Sequence, residues 1–380
     1  MSEQSYIDAA TLEQILTGGD GGDEEALLAA ARAGRNKLTA ILLSTWRREG
    51  KALQPEHEAE LAAHRDRAAR YRASLAVVEA ATSGVYAVKG RRIAAAYPAG
   101  IERESRDLDL VARSVEAAWD AVDALRGEGW EVEGFALMRV QGEDRPILEL
   151  ERPVESDPGQ LADLIHFSAI AFPGHVWGGV PARATLAEQG PGAGRAFDLL
   201  RVVAERLERP FAARDVVDAA ILTQVAGQAD AEHLWALLDE LGLWPEWREL
   251  AGRVRKAGLL APPFDGPADA ERRTRAAQLR RYRRRAGILA RPARAIAGYA
   301  QLRMLQRRAG LLDAAIFRPL RKRVKTSTAL GYGLPLFGVP LESEAAASSL
   351  VLEARNSSLV ARTPVGAFAL TAGDEVAVED

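Results

Sequence analysis

Residues 85–112, VYAVKGRRIAAAYPAGIERESRDLDLVA, decide the fold of this chain. The apolar run Val85–Val88 predicts a short buried strand. Lys89-Gly90 then predicts a turn into a helix over Arg91–Tyr97, which Pro98-Ala99-Gly100 ends. A second strand follows at Asp107–Val111. The stretch therefore predicts a β-α-β unit whose second strand begins with carboxylates.

The two aspartates of that strand, Asp107 and Asp109, are the strongest chemical signal. Side chains alternate along a strand, so both project to the same face. Two carboxylates with a third from a neighbouring strand form an oxygen-rich pocket that suits Mg²⁺. Such a pocket can hold two ions against a nucleoside triphosphate and support in-line displacement at phosphorus. We predict Glu149 as the third acid and general base, with Glu151 on the same strand face as the alternative.

The turn before the first helix predicts a phosphate-binding element. Gly90 has no β-carbon, so the backbone can approach an anion closely, and the helix start offers free N–H groups. Lys89 would add a positive charge. Arg91 and Arg92 at the helix N-terminus oppose the helix dipole, so they are easier to explain if an anion lies there. Arg103 either holds the triphosphate or keeps Asp107 in place.

Plainer interpretations of the same residues stay open. Lys89-Gly90 also fits an ordinary strand-to-helix turn with a surface lysine. The aspartates also fit a solvated strand edge where they pair with Arg103 and Arg106. Two histidines, His166 and His175, either line a pocket or are structural.

The order of elements predicts an α+β chain: a small mixed sheet, flanked by N- and C-terminal helical regions, with a small C-terminal β appendage. Residues 84–190 alternate strands and helices, including a strand pair over Phe135–Val140 and Pro146–Leu150 and a possible strand over Val176–Ala184. The predicted domains are 1–83 (helical), 84–190 (core), 191–330 (helical) and 331–380 (β-rich).

Composition narrows the function classes. The chain has 380 residues, 48% hydrophobic and 27% charged, which is typical of a globular protein. It has no cysteine, which excludes disulfides, thiolate metal sites and a cysteine nucleophile. No run is apolar enough for a membrane span, and the first twenty residues lack a signal-peptide pattern. We predict a cytoplasmic protein that does not bind membranes.

Charge is unevenly distributed along the chain. Residues 271–325 carry eighteen Arg or Lys and two acids, so they contribute +16 and leave −19 for the rest of a chain with net charge −3. A basic segment on an acidic body indicates internal docking or an anionic partner. Arg272–Lys325 could therefore contact the body of the protein, RNA, or a triphosphate or acidic peptide.

The pattern resembles the nucleotidyltransferase superfamily, in particular its bacterial uncharacterised branch. The residues that carry the resemblance are Val88-Lys89-Gly90, Tyr97-Pro98, Arg103, Asp107-Leu108-Asp109, Gly129-Trp130 and Ile147-Leu148-Glu149-Leu150. Two positions differ from the common pattern. Arg91 stands where the wider superfamily has a serine that contacts phosphate, and Glu151 stands where relatives often have histidine.

The resemblance implies a five-stranded mixed-sheet core and transfer of a nucleoside monophosphate from a triphosphate, with release of pyrophosphate. It implies that Asp107, Asp109 and Glu149 bind two Mg²⁺ ions, and that Lys89, Gly90, Arg91 and Arg103 bind the triphosphate. The acceptor is open, with a natural product, peptide or protein favoured over RNA. The alternative is an inactive member that binds a peptide, protein or RNA.

Overall fold

A computed structural model describes residues 7–19, 23–34, 36–154, 161–174, 179–186, 194–289, 326–331, 333–355 and 358–371. The chain is a mixed α+β protein. Its α-helices are α1 (Ala9–Thr17), α2 (Glu24–Arg32), α3 (Thr39–Arg48), α4 (Pro55–Ala81), α5 (Gly90–Ala94), α6 (Val115–Gly127), α7 (Arg195–Ala204), α8 (Ala213–Val225), α9 (Gln228–Leu241), α10 (Trp244–Lys256), α11 (Ala270–Leu289) and α12 (Thr326–Gly331). Its strands are β1 (Val85–Val88), β2 (Leu108–Ala112), β3 (Glu131–Val140), β4 (Glu143–Pro153), β5 (Ala162–Ser168), β6 (Leu336–Glu342), β7 (Val351–Arg355), β8 (Ser358–Thr363) and β9 (Gly366–Thr371).

The strands form one mixed sheet in the order β1-β2-β5-β4-β3-β6-β9-β8-β7. Among the described strands, only β2 and β5 run parallel, and the other neighbours are antiparallel. The C-terminal strands predicted as an appendage continue the core sheet, because β6 pairs with β3. Gly338 makes this junction possible: a β-carbon there would lie 2.7 Å from Phe135 and 2.8 Å from Phe368, whose rings stack across it.

Strand alternation divides the first two strands between two hydrophobic cores. Val85 and Ala87 of β1 pack with α4 and α6 on one face of the sheet. Tyr86 and Val88 pack on the other face, in a core shared by the N-terminal helices α1–α3 and the later helices α7–α10. On β2, Leu108 and Leu110 belong to the first core. Asp109, between them, therefore faces the second side, where the helices following the sheet are packed.

Several local predictions differ from the structure. The helix predicted over Arg91–Tyr97 ends at Ala94, and the strand predicted over Asp107–Val111 begins at Leu108. The predicted strand Val176–Ala184 falls partly outside the described residues, and its described part forms isolated bridges, such as that from Arg183 to Phe172, rather than a strand. The strand that pairs with β2 in parallel is β5 (Ala162–Ser168), which was not predicted from the sequence. The four-domain division itself remains a prediction.

Within the described residues, none of the helices has the length and hydropathy needed to cross a membrane.

Candidate active site

The candidate site is built on one row of the sheet that runs across β2, β5 and β4. His166 on β5 is the register partner of Asp109 on one side and of Glu149 on the other. Its Nδ1 lies 3.6 Å from Asp109 Oδ1 and 4.0 Å from Asp107 Oδ2, and its Nε2 lies 3.6 Å from Glu149 Oε1. The three predicted acids thus converge on one imidazole.

Asp107 and Asp109 open into a cavity of about 310 Å³, which we call the central pocket. The size is at the lower end of the range for small-molecule sites. The central pocket is lined by Lys37, Lys89, Gly90, Arg103, Ser105, Asp107, Asp109, His166, Glu205, Glu208, Arg209 and Arg214. It lies between the sheet edge and residues from both flanking helical regions.

Glu149 and Glu151 are placed differently from the two aspartates. Glu149 does not line the central pocket, since β5 lies between its strand and β2 and the His166 ring separates it from the aspartates. Glu151 pairs with Leu164 and Glu131 farther along the sheet and does not line the pocket either. The carboxylates that complete the pocket wall are Glu205 and Glu208.

The turn at Lys89 is conformationally unusual. Lys89 has φ 54° and ψ −124°, a region that is costly for a residue with a side chain. Its ammonium group pairs with Glu205, which follows α7 directly. Glu205 in turn lies 2.9 Å from Arg209, whose guanidinium also pairs with Asp215 at 2.6 Å. Tertiary contacts therefore hold the strained turn.

The charged groups of the central pocket shift one another's pKa values. Burial opposes the charge on Lys89, but Asp109 and Glu205 outweigh it and raise the lysine pKa. Burial would likewise raise the pKa of Asp109, yet Lys89 and His166 hold it well below its ordinary value. The contact with Asp109, opposed by burial and aided by Asp107 and Glu149, raises the pKa of His166 to about 9. Asp109 is thus an anion held between two cations.

Two further cations line the central pocket without an ion pair within the part of the chain that the structure describes: Lys37, which precedes α3, and Arg214, in the first turn of α8. Burial lowers the pKa of Lys37, while the charge of Asp107 partly offsets this. Lys37 also has φ 49°, a second strained backbone at this pocket. Two positive charges left without carboxylate partners suit an anionic ligand.

Arg103 forms an ion pair with Asp218 on α8 rather than with Asp107 or Asp109. Its Nε and Nη2 lie 2.8 and 2.7 Å from the two carboxylate oxygens of Asp218 on α8. Tyr97 donates to the same carboxylate at 2.6 Å. Arg103 and Asp218 are almost fully buried, so this network ties the core to the later helices. Triphosphate binding by Arg103 remains a prediction.

Gly90 and Arg91 have different surroundings. Gly90 lines the central pocket, and a β-carbon there would lie 3.5 Å from Ser105 Oγ, an ordinary contact. Packing alone therefore does not demand glycine. Arg91 is exposed and does not line the pocket, whereas its neighbour Arg92 pairs with Asp198 at 2.8 Å.

One face of the described part of the basic segment packs against the protein, while Arg272 and Arg275 are exposed. Arg281 pairs with Glu246, with Nη1 to Oε1 at 2.6 Å, and donates to the carbonyl of Gly242. Arg273 contacts Asp239 and Asp269. Internal docking accounts for these arginines. Residues 290–325, and with them most of the predicted RNA-binding stretch, lie outside the described residues.

The oxygen ligands of the central pocket suit a Mg²⁺ ion that is also bound by substrate phosphates. Across the described residues, no group of three or more His, Cys, Asp or Glu side chains is arranged to hold a metal ion by itself. Mg²⁺ is commonly held by one or two carboxylates together with substrate phosphates rather than by an all-protein cage. Asp107 and Asp109 supply that number, and the adjacent unpaired cations suit the phosphates.

Comparison with known proteins adds little. No family model and no curated protein matches the chain. A solved H. pylori chain described as a "putative nucleotidyltransferase" is similar over 58% of this chain and 96% of its own length, with 12% identity and a TM-score of 0.28. At that TM-score the similarity supports no argument about fold or function.

Proposed function

We propose that this chain is a Mg²⁺-dependent nucleotidyltransferase, which transfers a nucleoside monophosphate from a triphosphate to an acceptor. The observation that supports this is the composition of the central pocket. Asp107 and Asp109 line the same pocket as Lys37 and Arg214, which have no carboxylate partner among the described residues. Metal-binding carboxylates opposite phosphate-binding cations are what a metal–triphosphate complex requires.

The roles follow from position. Lys37 and Arg214 bind the triphosphate, while Lys89 adds positive charge and holds Asp109 and Glu205 in place. Bound Mg²⁺ would neutralise charge on the phosphate oxygens and orient them. The acceptor oxygen or nitrogen forms a bond to the α-phosphorus as the bond to the leaving pyrophosphate breaks. Rate enhancement comes from positioning and charge neutralisation.

The proton of the acceptor goes to Glu208 in this proposal. Glu208 lines the pocket and is exposed to solvent. The protein around its carboxyl raises its pKa, and the positive charge of Lys89 offsets only part of this effect. A carboxylate with a raised pKa is a better proton acceptor. Glu149, behind the His166 ring, acts indirectly by positioning that ring.

Glu208→Gln is expected to lower kcat by about a hundredfold, the size of a lost general base, and to leave nucleotide affinity within about twofold. Glu149→Gln is expected to lower kcat by about tenfold, the lower end of the range for an orienting residue. Steady-state pyrophosphate release would measure both. A larger loss in Glu149→Gln than in Glu208→Gln would return the general-base role to Glu149.

The proposed function is tested by nucleotide binding. A non-hydrolysable ATP analogue, AMPCPP, is expected to raise the Tm of the full chain when Mg²⁺ is present and to raise it much less when EDTA replaces the metal. The other nucleoside triphosphates would be compared in the same assay, followed by pyrophosphate release with pools of candidate acceptors. If no nucleotide raises the Tm of the folded chain, the proposal is wrong and a non-catalytic binding protein becomes the better hypothesis.

A further inference from the structure

A second cavity, of about 500 Å³, lies beside the central pocket between α1, α8 and the end of α10. Arg209 lines both cavities, and Asn36 of the second is the chain neighbour of Lys37 in the first. Arg209 is fixed in the wall between them by its ion pairs with Glu205 and Asp215. A ligand in the second cavity would therefore lie one side chain away from the proposed site of transfer.

The walls of this cavity are mainly apolar. Ile15 and Leu16 of α1, Phe211 just before α8 and Val216 within α8 line it. Phe211 and Val216 are buried, and the α1 side chains are partly buried. A cavity of this size with apolar walls and a few polar groups is typical of a site for a small organic molecule.

The charged groups that line the cavity are all basic: Arg209, Arg253 and Lys256. Arg209 and Arg253 have protein partners, since Arg253 lies 3.0 Å from Glu249 and donates to the carbonyl of Phe211 at 2.9 Å. Lys256 is exposed at the end of α10 and has no ion pair within the described residues. The cavity therefore combines an apolar body with a free positive charge at its rim.

We propose, resting on the proposed function, that this cavity is the acceptor cleft. Its ligand is a small molecule with an apolar, ring-sized body and a carboxylate or similar anion. The anion pairs with Lys256, and the nucleophile points past Arg209 into the central pocket. A nucleobase carries no charge to match Lys256, and a polymer would exceed the cavity, so the geometry favours a small anionic acceptor over either.

The experiment uses anilinonaphthalene sulfonate, a fluorescent anion with an apolar ring body, on the full chain. We expect saturable binding of one dye molecule. Lys256→Glu is expected to weaken it by about tenfold, because a repulsive charge replaces an attractive one. Arg255→Glu is the matched control: Arg255 is the preceding residue of α10, pairs with Asp265 at 3.1 Å and does not line the cavity. Dye affinity should change less than about twofold in this variant.

The same titration is repeated with saturating AMPCPP and Mg²⁺, with folding of each variant checked by circular dichroism. Retained dye binding, still sensitive to Lys256→Glu, supports an acceptor cleft beside the nucleotide. Displacement of the dye by AMPCPP overturns it in favour of a nucleobase site. Equal dye affinity in both variants, or no saturable binding, also overturns it. If the dye binds in a way that depends on Lys256 but no nucleotide binds with Mg²⁺, the proposed function is wrong. The cavity is then an anion-binding cleft without a role in nucleotidyl transfer.

Discussion

Asp109→Asn is expected to lower nucleotidyl transfer by on the order of a thousandfold while the fold is retained. Asparagine has nearly the same shape as aspartate but no negative charge, so the attraction for Mg²⁺ is lost. Lys89 and His166, the cations that hold Asp109 as an anion, would then repel the metal. Lys89 keeps its ion pair with Glu205, so the turn should stay in place.

Two measurements test this prediction: pyrophosphate release, and the Mg²⁺-dependent rise in Tm with AMPCPP. Both should be lost in Asp109→Asn. Asp123→Asn, the same exchange at an exposed position of α6, should leave both unchanged. Transfer within about tenfold of the wild type in Asp109→Asn would mean that Asp109 is not a metal ligand.

Asp218→Ala is expected to lower the free energy of unfolding by about 3–5 kcal/mol, because it leaves a buried guanidinium without its partner. Asp218 accepts both hydrogen bonds from Arg103 and one from Tyr97, and the arginine and aspartate side chains are 5% and 2% exposed. The pair joins the segment that precedes β2, which contains Arg103, to α8. Its loss should therefore also loosen the position of Arg214 over the central pocket.

Urea unfolding followed by circular dichroism would measure this loss of stability. The matched control is Asp265→Ala, which breaks the exposed pair with Arg255 and should cost less than about 1 kcal/mol. The double variant Arg103→Met with Asp218→Leu should recover most of the loss, since it removes both buried charges together. If Asp218→Ala and Asp265→Ala lowered the free energy of unfolding equally, the buried pair would not stabilise the fold more than the exposed pair does.

Local pattern was enough to predict the first half of the core. The strand Val85–Val88 and the helix after Ser114 appear where the sequence placed them, and the second strand is shifted by one residue, to Leu108–Ala112, so that Asp107 directly precedes it. Each depends on neighbours a few residues apart: alternation in a strand, spacing in a helix, and a serine that caps α6 through the Ala117 N–H. The same alternation correctly placed Asp107 and Asp109 on one face.

Other site residues could not be found in this way because their positions depend on distant pairing. β5 lies between β2 and β4, so His166 rather than Glu149 is next to the aspartates. The sequence signal for β5 was weak, although the apolar-polar alternation of ADLIHFS was available to find it. Glu205 and Glu208 come from the turn after α7, and nothing in their local sequence separates them from surface acids.

The sequence by itself determined the α+β class, the strand-turn-helix-strand unit and the shared face of the two aspartates, because short-range backbone geometry fixes all three. Tertiary structure alone decided which groups meet those aspartates. Lys37, His166, Glu208 and Arg214 are brought together by strand order and by helices from both ends of the chain sharing one core. Contacts between residues more than fifty positions apart leave no periodic trace in the sequence, so only the folded chain reveals them.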